Sequence, residues 1–326
     1  MHVVAAPDKY RSTATAREVA SAIAEAAHGA GWTCDQVPVS DGGEGFLDVF
    51  SGRVRTAVVR GPLGGLVEAP WRMLEDDRTA VVETALASGL SLAGGAEGND
   101  PIAADTTGTG QLIAEAVKAG ARRVLVGVGG SATTDGGTGA LEALEPHSRL
   151  RGVEIVVACD VETRFLEAAS VFAPQKGASP KQVALLTRRL QRLADLYGPT
   201  ITERPGSGAA GGLAGGLATV GATLVSGFDV VADVLDLAAY LEQADLVVTG
   251  EGYLDEQSFA GKVVGGVVAL AAEVGVPVVV IAGDGEEPQP VRWYSLVARA
   301  GTQRAWAQPL DVIAELVGEE LRDRGS

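Results

Sequence analysis

Cysteine is nearly absent: Cys34 and Cys159 are the only two in 326 residues, and they lie far apart. That excludes a disulfide framework and any zinc-ligand spacing. Histidine is as scarce, with His2, His28 and His147 scattered along the chain, so zinc hydrolysis and a histidine-based triad have little to stand on. Positive charge is in short supply. Against 42 Asp and Glu stand 26 Lys and Arg, a formal net charge of −16. A duplex binder needs a basic face to release counterions, and anionic lipid attracts polybasic segments, so nucleic acid and membrane surfaces are not expected partners. No G-x-x-x-x-G-K-[ST] occurs, which excludes a P-loop. Met1–Ala6 is too short an apolar run before Pro7 and Asp8 to read as a signal peptide. The uncharged stretch Gly206–Phe228 reaches bilayer-spanning length but holds eight glycines, and reads as a buried loop and helix. A soluble, cytoplasmic chain is expected.

What is present is a core. Hydrophobic residues make up 46% of the chain and charged ones 21%, enough to fold and enough length for two domains. Short β-branched runs alternate with Ala/Leu-rich helical patterns, the mark of an α/β fold with a mostly parallel sheet. Strands are expected at His2–Ala6, Cys34–Val39, Arg123–Val128, Glu154–Cys159, Leu246–Thr249 and Pro277–Ala282. Helices are expected near Thr15–Gly29, Gly108–Ala119, Thr138–Leu144, Pro180–Tyr197 and Gly265–Val274. Ser12 or Thr13 would cap the first, with Glu18 as capping-box partner. Between Val54 and Val82 turn residues separate three strand-like runs, which predicts an antiparallel meander in a second domain.

Ligands of open α/β sheets sit at the carboxyl ends of strands. There the polar residues and glycines of this chain collect: Asp8, then Asp41 and Glu44, then Ser131 to Asp135, then Asp160, then Glu251 and Asp255. Carboxylates together with glycine N–H groups suit a phosphate carried with a divalent cation. Each acid alone reads as readily as a helix N-cap, and each Gly pair as turn geometry; the repetition over five strand ends favours a site for the set. Of five lysines, Lys9, Lys176 and Lys262 fall in loop-like contexts, whereas Lys118 and Lys181 read as solvated helix residues. Gly206–Gly211 matches G-x-G-x-x-G, but Pro205 precedes it and fits a dinucleotide-binding strand poorly. Gly127–Ala132 matches the G-x-G-x-x-A variant after a good strand, which keeps a nicotinamide-dependent oxidoreductase as the alternative reading.

Taken in chain order, these loops resemble the bacterial-type glycerate kinase family (type 1), unrelated to P-loop and ribokinase-like kinases. The matching pieces are Ala6-Pro7-Asp8, Pro38–Gly45, Gly61-Pro62-Leu63-Gly64, Glu83–Leu90, Thr106–Gly110 and Gly127–Gly137. Ala158-Cys159-Asp160, Pro174–Ala178, Pro205–Gly212 and Thr249–Gly252 with Asp255, Gln257, Ser258, Gly261 and Lys262 complete the series. The resemblance implies transfer of the γ-phosphoryl group of ATP to a hydroxyl of D-glycerate, or a closely similar hydroxy acid, with Mg²⁺. It implies a flavodoxin-like domain (1–45, 101–160 and 236–326) joined to a second mixed α/β domain (46–100 and 161–235). Phosphate binding would fall to Gly129, Gly130, Ser131, Thr133, Gly136 and Gly137. Catalysis would fall to Asp41, Asp135, Lys176, Asp255 and Lys262, and substrate binding to Asp8, Lys9, Arg11, Glu44 and Glu251. Asp135, Asp160 and Asp255 would be metal ligands. Assembly as a homodimer is left open.

The chain also departs from the family pattern. Asp8-Lys9-Tyr10-Arg11 stands for the usual Asp-Ser-Phe/Tyr-Lys, Tyr253 for an Arg, and Glu162–Phe165 for Asn-Pro-Leu, while the segment before β-strand Glu154–Cys159 is shortened to Glu145–Gly152. These changes bear on the acceptor more than on the reaction type. They also motivate a further alternative, a non-catalytic ligand-binding relative.

Overall fold

The computed structural model describes residues 1–10, 13–259, 262–286 and 289–325. Among them eleven strands run in chain order: β1 (His2–Ala5), β2 (Thr33–Gln36), β3 (Arg53–Arg60), β4 (Leu66–Met73), β5 (Thr79–Glu83), β6 (Arg123–Gly127), β7 (Glu154–Ala158), β8 (Thr223–Val225), β9 (Leu246–Leu254), β10 (Val278–Gly285) and β11 (Arg292–Ser295). They belong to two compact units, one made of Met1–Asp41 with Phe228–Ser326, the other of Gly42–Gly227.

The first unit holds a five-stranded sheet, β11-β10-β9-β1-β2, in which every pair is parallel. Counted within the unit that is the order 2-1-3-4-5 of flavodoxin-like sheets, with its switch point between β1 and β9. Alternate strand residues face opposite layers. Val3, Ala5, Val248, Val279 and Ile281 pack with Val19 and Ile23 of helix Ala16–Gly29 and Ile313 and Val317 of helix Pro309–Arg324. Val280, Ala282 and Leu254 pack with Val264 of helix Val263–Val274. Burying such Val and Ile side chains stabilises by roughly 1.5–3 kcal/mol each. The first helix is capped by Thr15, whose hydroxyl accepts from Glu18 N while Glu18 reaches back to Thr15 N. The expected capping box is therefore present around Glu18, but on Thr15; Thr13 instead donates to Tyr10 O, and Ser12 lies outside the described residues.

The second unit holds a six-stranded sheet, β3-β4-β5-β6-β7-β8. β3, β4 and β5 form the antiparallel meander read from the turn residues, and the sheet is parallel from β5 onward. Residues 101–160, grouped by sequence with the chain ends, lie in this unit instead. The reason is pairing: β6 runs beside β5 in register Thr79↔Arg123 to Glu83↔Gly127, and an unbroken Val/Leu run announces a buried parallel strand without saying in which sheet. Val124 and Val126 pack with Leu112 and Ile113 of helix Thr107–Lys118 and with Leu213 and Leu217 of helix Ala209–Thr219.

That last helix is the glycine tract, buried as expected. Its first turn is broken at Ala210, Gly211 and Gly212, which take left-handed φ. A Cβ on Gly211 would fall 2.0 Å from Thr133 O, so the tract's glycines let its backbone press against the loop after β6. Among the described residues no helix is long and apolar enough to cross a membrane.

Candidate active site

In the parallel unit the strand ends open into a cavity of about 630 Å³. Asp8 and Lys9 line it from the loop after β1, Asp41 from the chain beyond β2, Glu251 and Tyr253 from β9, and Asp255 and Lys262 from the stretch after β9. β9 is longer than its sequence pattern predicts. It keeps its register with β10 past Glu251↔Ala282 to Leu254↔Gly285, which carries Glu251 and Tyr253 as strand residues into the cavity wall.

Asp8 is only 8% exposed. Its backbone N–H donates to Gly250 O at 2.9 Å, and its Oδ1 accepts from Lys9 N at 2.7 Å. Lys9 Nζ lies 3.6 Å from Asp8 Oδ1 and donates to Asp41 Oδ1 at 3.2 Å. Burial pushes the Asp8 carboxyl up to about 7; Lys9 opposes that shift, and the Asp41 charge adds to it. Burial likewise raises the Glu251 carboxyl, against the pull of Ser258 and Lys262. Glu251 Oε1 is buried with no hydrogen-bond partner among the described residues. Asp255 Oδ1 accepts from Ser258 N at 3.0 Å. Lys262 is the N-cap residue of the twelve-residue helix Val263–Val274, and no side chain caps that helix. The positive end of its dipole and the Lys262 ammonium thus belong to one cavity wall, an anion-attracting edge among carboxylates. Arg11 lies outside the described residues.

The mixed unit holds the other predicted residues within the described part of the chain, and Lys176, Asp135 and one oxygen of Asp160 are engaged in hydrogen bonds within the protein. Lys176 is 4% exposed; its Nζ donates to Ser131 Oγ at 2.9 Å and Thr133 O at 2.6 Å. Burial pulls its ammonium down to about 7, with Asp135 resisting. The Asp135 carboxylate accepts from Thr106 N (2.9 Å), Thr106 Oγ1 (2.8 Å), Gly137 N (3.0 Å) and Gly139 N (3.1 Å). Glu83 does similar service for Gly45 N and Leu47 N at the start of helix Phe46–Val49. Asp160 Oδ1 accepts from Ser226 Oγ and from Gly227 N, where helix Gly227–Leu235 begins. Three amides of the expected phosphate loop are also taken: Gly129 N by Gly42 O, Gly136 N by Gly211 O, and Gly137 N by Asp135 Oδ1. Gly130 sits at φ +66° with the exposed Glu44 beside it; a Cβ there would fall 2.8 Å from Glu44 Oε1.

The predicted set therefore divides. Asp8, Lys9, Asp41, Glu251, Asp255 and Lys262 share one cavity, while in the other unit Lys176 is hydrogen-bonded to Ser131 and Thr133, and Asp135 to Thr106, Gly137 and Gly139. Of the expected metal ligands, Asp135 and Asp160 belong to one unit and Asp255 to the other. Among the described residues no group of three or more His, Cys, Asp or Glu is arranged to hold a metal alone. Sequence reasoning also missed Asp284 on β10, and Thr302 and Trp306 on helix Leu296–Ala307, all of which line the cavity. The Gly283-Asp284-Gly285 turn pattern was the one available signal for Asp284.

A model of the glycerate kinase family matches residues 3–148 and 145–300. The chain belongs to the glycerate kinase family. The two matched pieces meet inside the shortened segment before β7. A glycerate kinase of Bacillus subtilis (strain 168) is 38% identical over 325 residues, covering 87% of this chain and 85% of that protein. An uncharacterized protein of Mycobacterium tuberculosis (strain CDC 1551 / Oshkosh) is 43% identical over 305 residues, covering 87% and 79%. Among solved structures, the "putative glycerate kinase 2" of Salmonella typhimurium LT2 superimposes with a TM-score of 0.81 at 34% identity, over 99% of this chain and 96% of that one.

Proposed function

We propose that this member of the glycerate kinase family transfers the γ-phosphoryl group of ATP to a hydroxyl of D-glycerate, or of a closely similar small hydroxy acid, with Mg²⁺. Family membership and the names of its relatives support the reaction class. The observation that bears most on mechanism is Asp8, a buried carboxyl in a strand-end cavity whose proton affinity has been brought to about 7. A base matched to neutral pH is what proton removal from an alcohol needs. In this reading the acceptor hydroxyl passes its proton to Asp8 and attacks the γ-phosphorus, and ADP leaves with the electrons of the broken P–O bond. Lys9 and Lys262 neutralise phosphate oxygens, aided by the N-terminus of helix Val263–Val274.

The cavity also fits Mg²⁺. The unpartnered, buried Glu251 Oε1 and the Asp255 carboxylate offer hard oxygens, and Mg²⁺ is held by one or two carboxylates plus phosphate oxygens rather than by an all-protein cage. Glu251 and Asp255 would hold it, and its charge would offset that of the phosphates. Lys176 and Asp135 then act on the shape of the loop after β6: Lys176 ties Ser131 to Thr133, and Asp135 ties Thr106 to the start of helix Thr138–Ala143.

The oxidoreductase alternative loses its support in the local structure. Gly127–Ala132 does not open a helix; the next one in the chain starts only at Thr138, whereas a dinucleotide-binding loop leads straight into its helix. A coupled assay with ATP, Mg²⁺ and D-glycerate, extended to a panel of small hydroxy acids, tests the proposal. Turnover with one of them is the expected result; folded protein with no turnover on any refutes it.

A further inference from the structure

The cavity lining divides by element. Strand ends and the loops after them supply its charges, whereas helix Leu296–Ala307 supplies Leu296, Val297, Thr302, Ala305 and Trp306. That helix is broken at Gly301, with φ +75° and ψ 156°. Beyond the break, Thr302, Ala305 and Trp306 stand at i, i+3 and i+4 on one face, and all three line the cavity. Ala305 is buried and small, so the wall there is low beside the Trp306 ring.

Trp306 is 60% exposed, whereas Trp32 and Trp71 are buried in the cores of their units. A large aromatic left open to water at a cavity wall loses the burial that would stabilise it, and an incoming flat ring would restore that burial. Tyr253, 52% exposed on β9, is a second open ring on the same cavity. Glycerate, a three-carbon acid, has no ring to offer them. The nucleotide does.

We infer that Trp306 is the seat of the nucleotide's purine base, which stacks on its ring beside the Thr302 hydroxyl. The inference rests on the kinase reading and deepens it by assigning the nucleotide to the parallel unit. The base occupies the helix Leu296–Ala307 wall and the phosphates lie toward the charged strand ends. Tyr253 borders the same cavity as an aromatic surface that needs no charge on its ligand.

Binding of ADP and of tripolyphosphate, each with Mg²⁺, to the whole chain and to Trp306→Ala and Trp306→Phe, measured by calorimetry, tests this. Base–aromatic stacking predicts that Trp306→Ala weakens ADP by roughly 5- to 150-fold. Tripolyphosphate should be unaffected, the KM for the acceptor should stay put, and Trp306→Phe should keep most of the ADP affinity. Equal loss for ADP and tripolyphosphate, a shift in acceptor KM with ADP unchanged, or no ADP binding by the folded parent would each overturn the inference. ADP binding that depends on Trp306 in a protein without kinase turnover would uphold it while refuting the proposed activity. Turnover with ADP binding indifferent to Trp306 would do the reverse.

Discussion

In the parallel unit the acids at the strand ends stand around a cavity, and in the mixed unit they are folded into the backbone. Asp8 and Asp135 show the contrast most clearly. Both follow parallel strands, and both are buried. Asp8 accepts one backbone N–H and otherwise meets Lys9 and the cavity, so burial raises its carboxyl to about 7. Asp135 receives three backbone N–H groups and a hydroxyl from two different segments, and no cavity residue is among them. The same residue type at the ends of parallel strands thus lines a cavity in one unit and clamps backbone in the other. What separates the roles is the number of donors already pointing at the carboxylate.

Four substitutions sharpen that contrast. The largest effect is expected at Asp8. Asp8→Asn should lower kcat/KM by about 10²–10⁴-fold with the fold intact. The parent's pH profile should rise through about pH 7, and that inflection should vanish in the variant. Its stability should move the opposite way. Because Asp8 titrates at about 7 in the folded chain against 3.8 ordinarily, native protein binds the extra proton between those values, and stability contributed by Asp8 is lost as pH rises through 7. Asp8→Asn should remove that decline.

At Asp135 the loss should appear in stability before it appears in rate. Asp135→Ala strands three buried N–H groups and the Thr106 hydroxyl, a cost of about 3–5 kcal/mol that chemical denaturation would read. A variant as stable as the parent would show that the carboxylate is not the clamp described.

Lys176 tests the same cluster through pH. Its ammonium titrates at about 7 when folded and 10.5 ordinarily, so native protein binds fewer protons than the unfolded chain between those values. The penalty of burying it is full below pH 7 and is relieved as pH rises toward 10.5. Denaturation midpoints should therefore climb over that interval by more in the parent than in Lys176→Met.

The smallest effect is expected on the surface. Arg60 and Asp105 pair at 3.3 Å with half of the Arg side chain exposed, so Arg60→Ala should change stability by no more than about 1 kcal/mol.

Much of the architecture was legible in the residues. The Val/Leu runs of β1, β6 and β7, the capping partner Glu18 and the turn chemistry of the meander all concern neighbours a few positions apart, and local sterics and hydrogen bonding decide those. β8, three residues long, and β11 escaped because so few residues establish no period. The extension of β9 escaped because glycine and acid interrupt its apolar run, while its pairing with β10 continues regardless.

By itself, then, the sequence determined the α/β class, the meander, the burial of the glycine tract and the list of polar residues gathered at strand ends. Only the tertiary structure decided which sheet β6 joins, which lysine is engaged by a serine and which borders a cavity, and that Trp306 shares a cavity with carboxylates as distant in the chain as Asp8 and Asp41. The physical reason is that strand and helix formation depends on local contacts. A carboxylate's proton affinity and availability are set instead by whichever donors, charges and solvent the long-range fold brings to it.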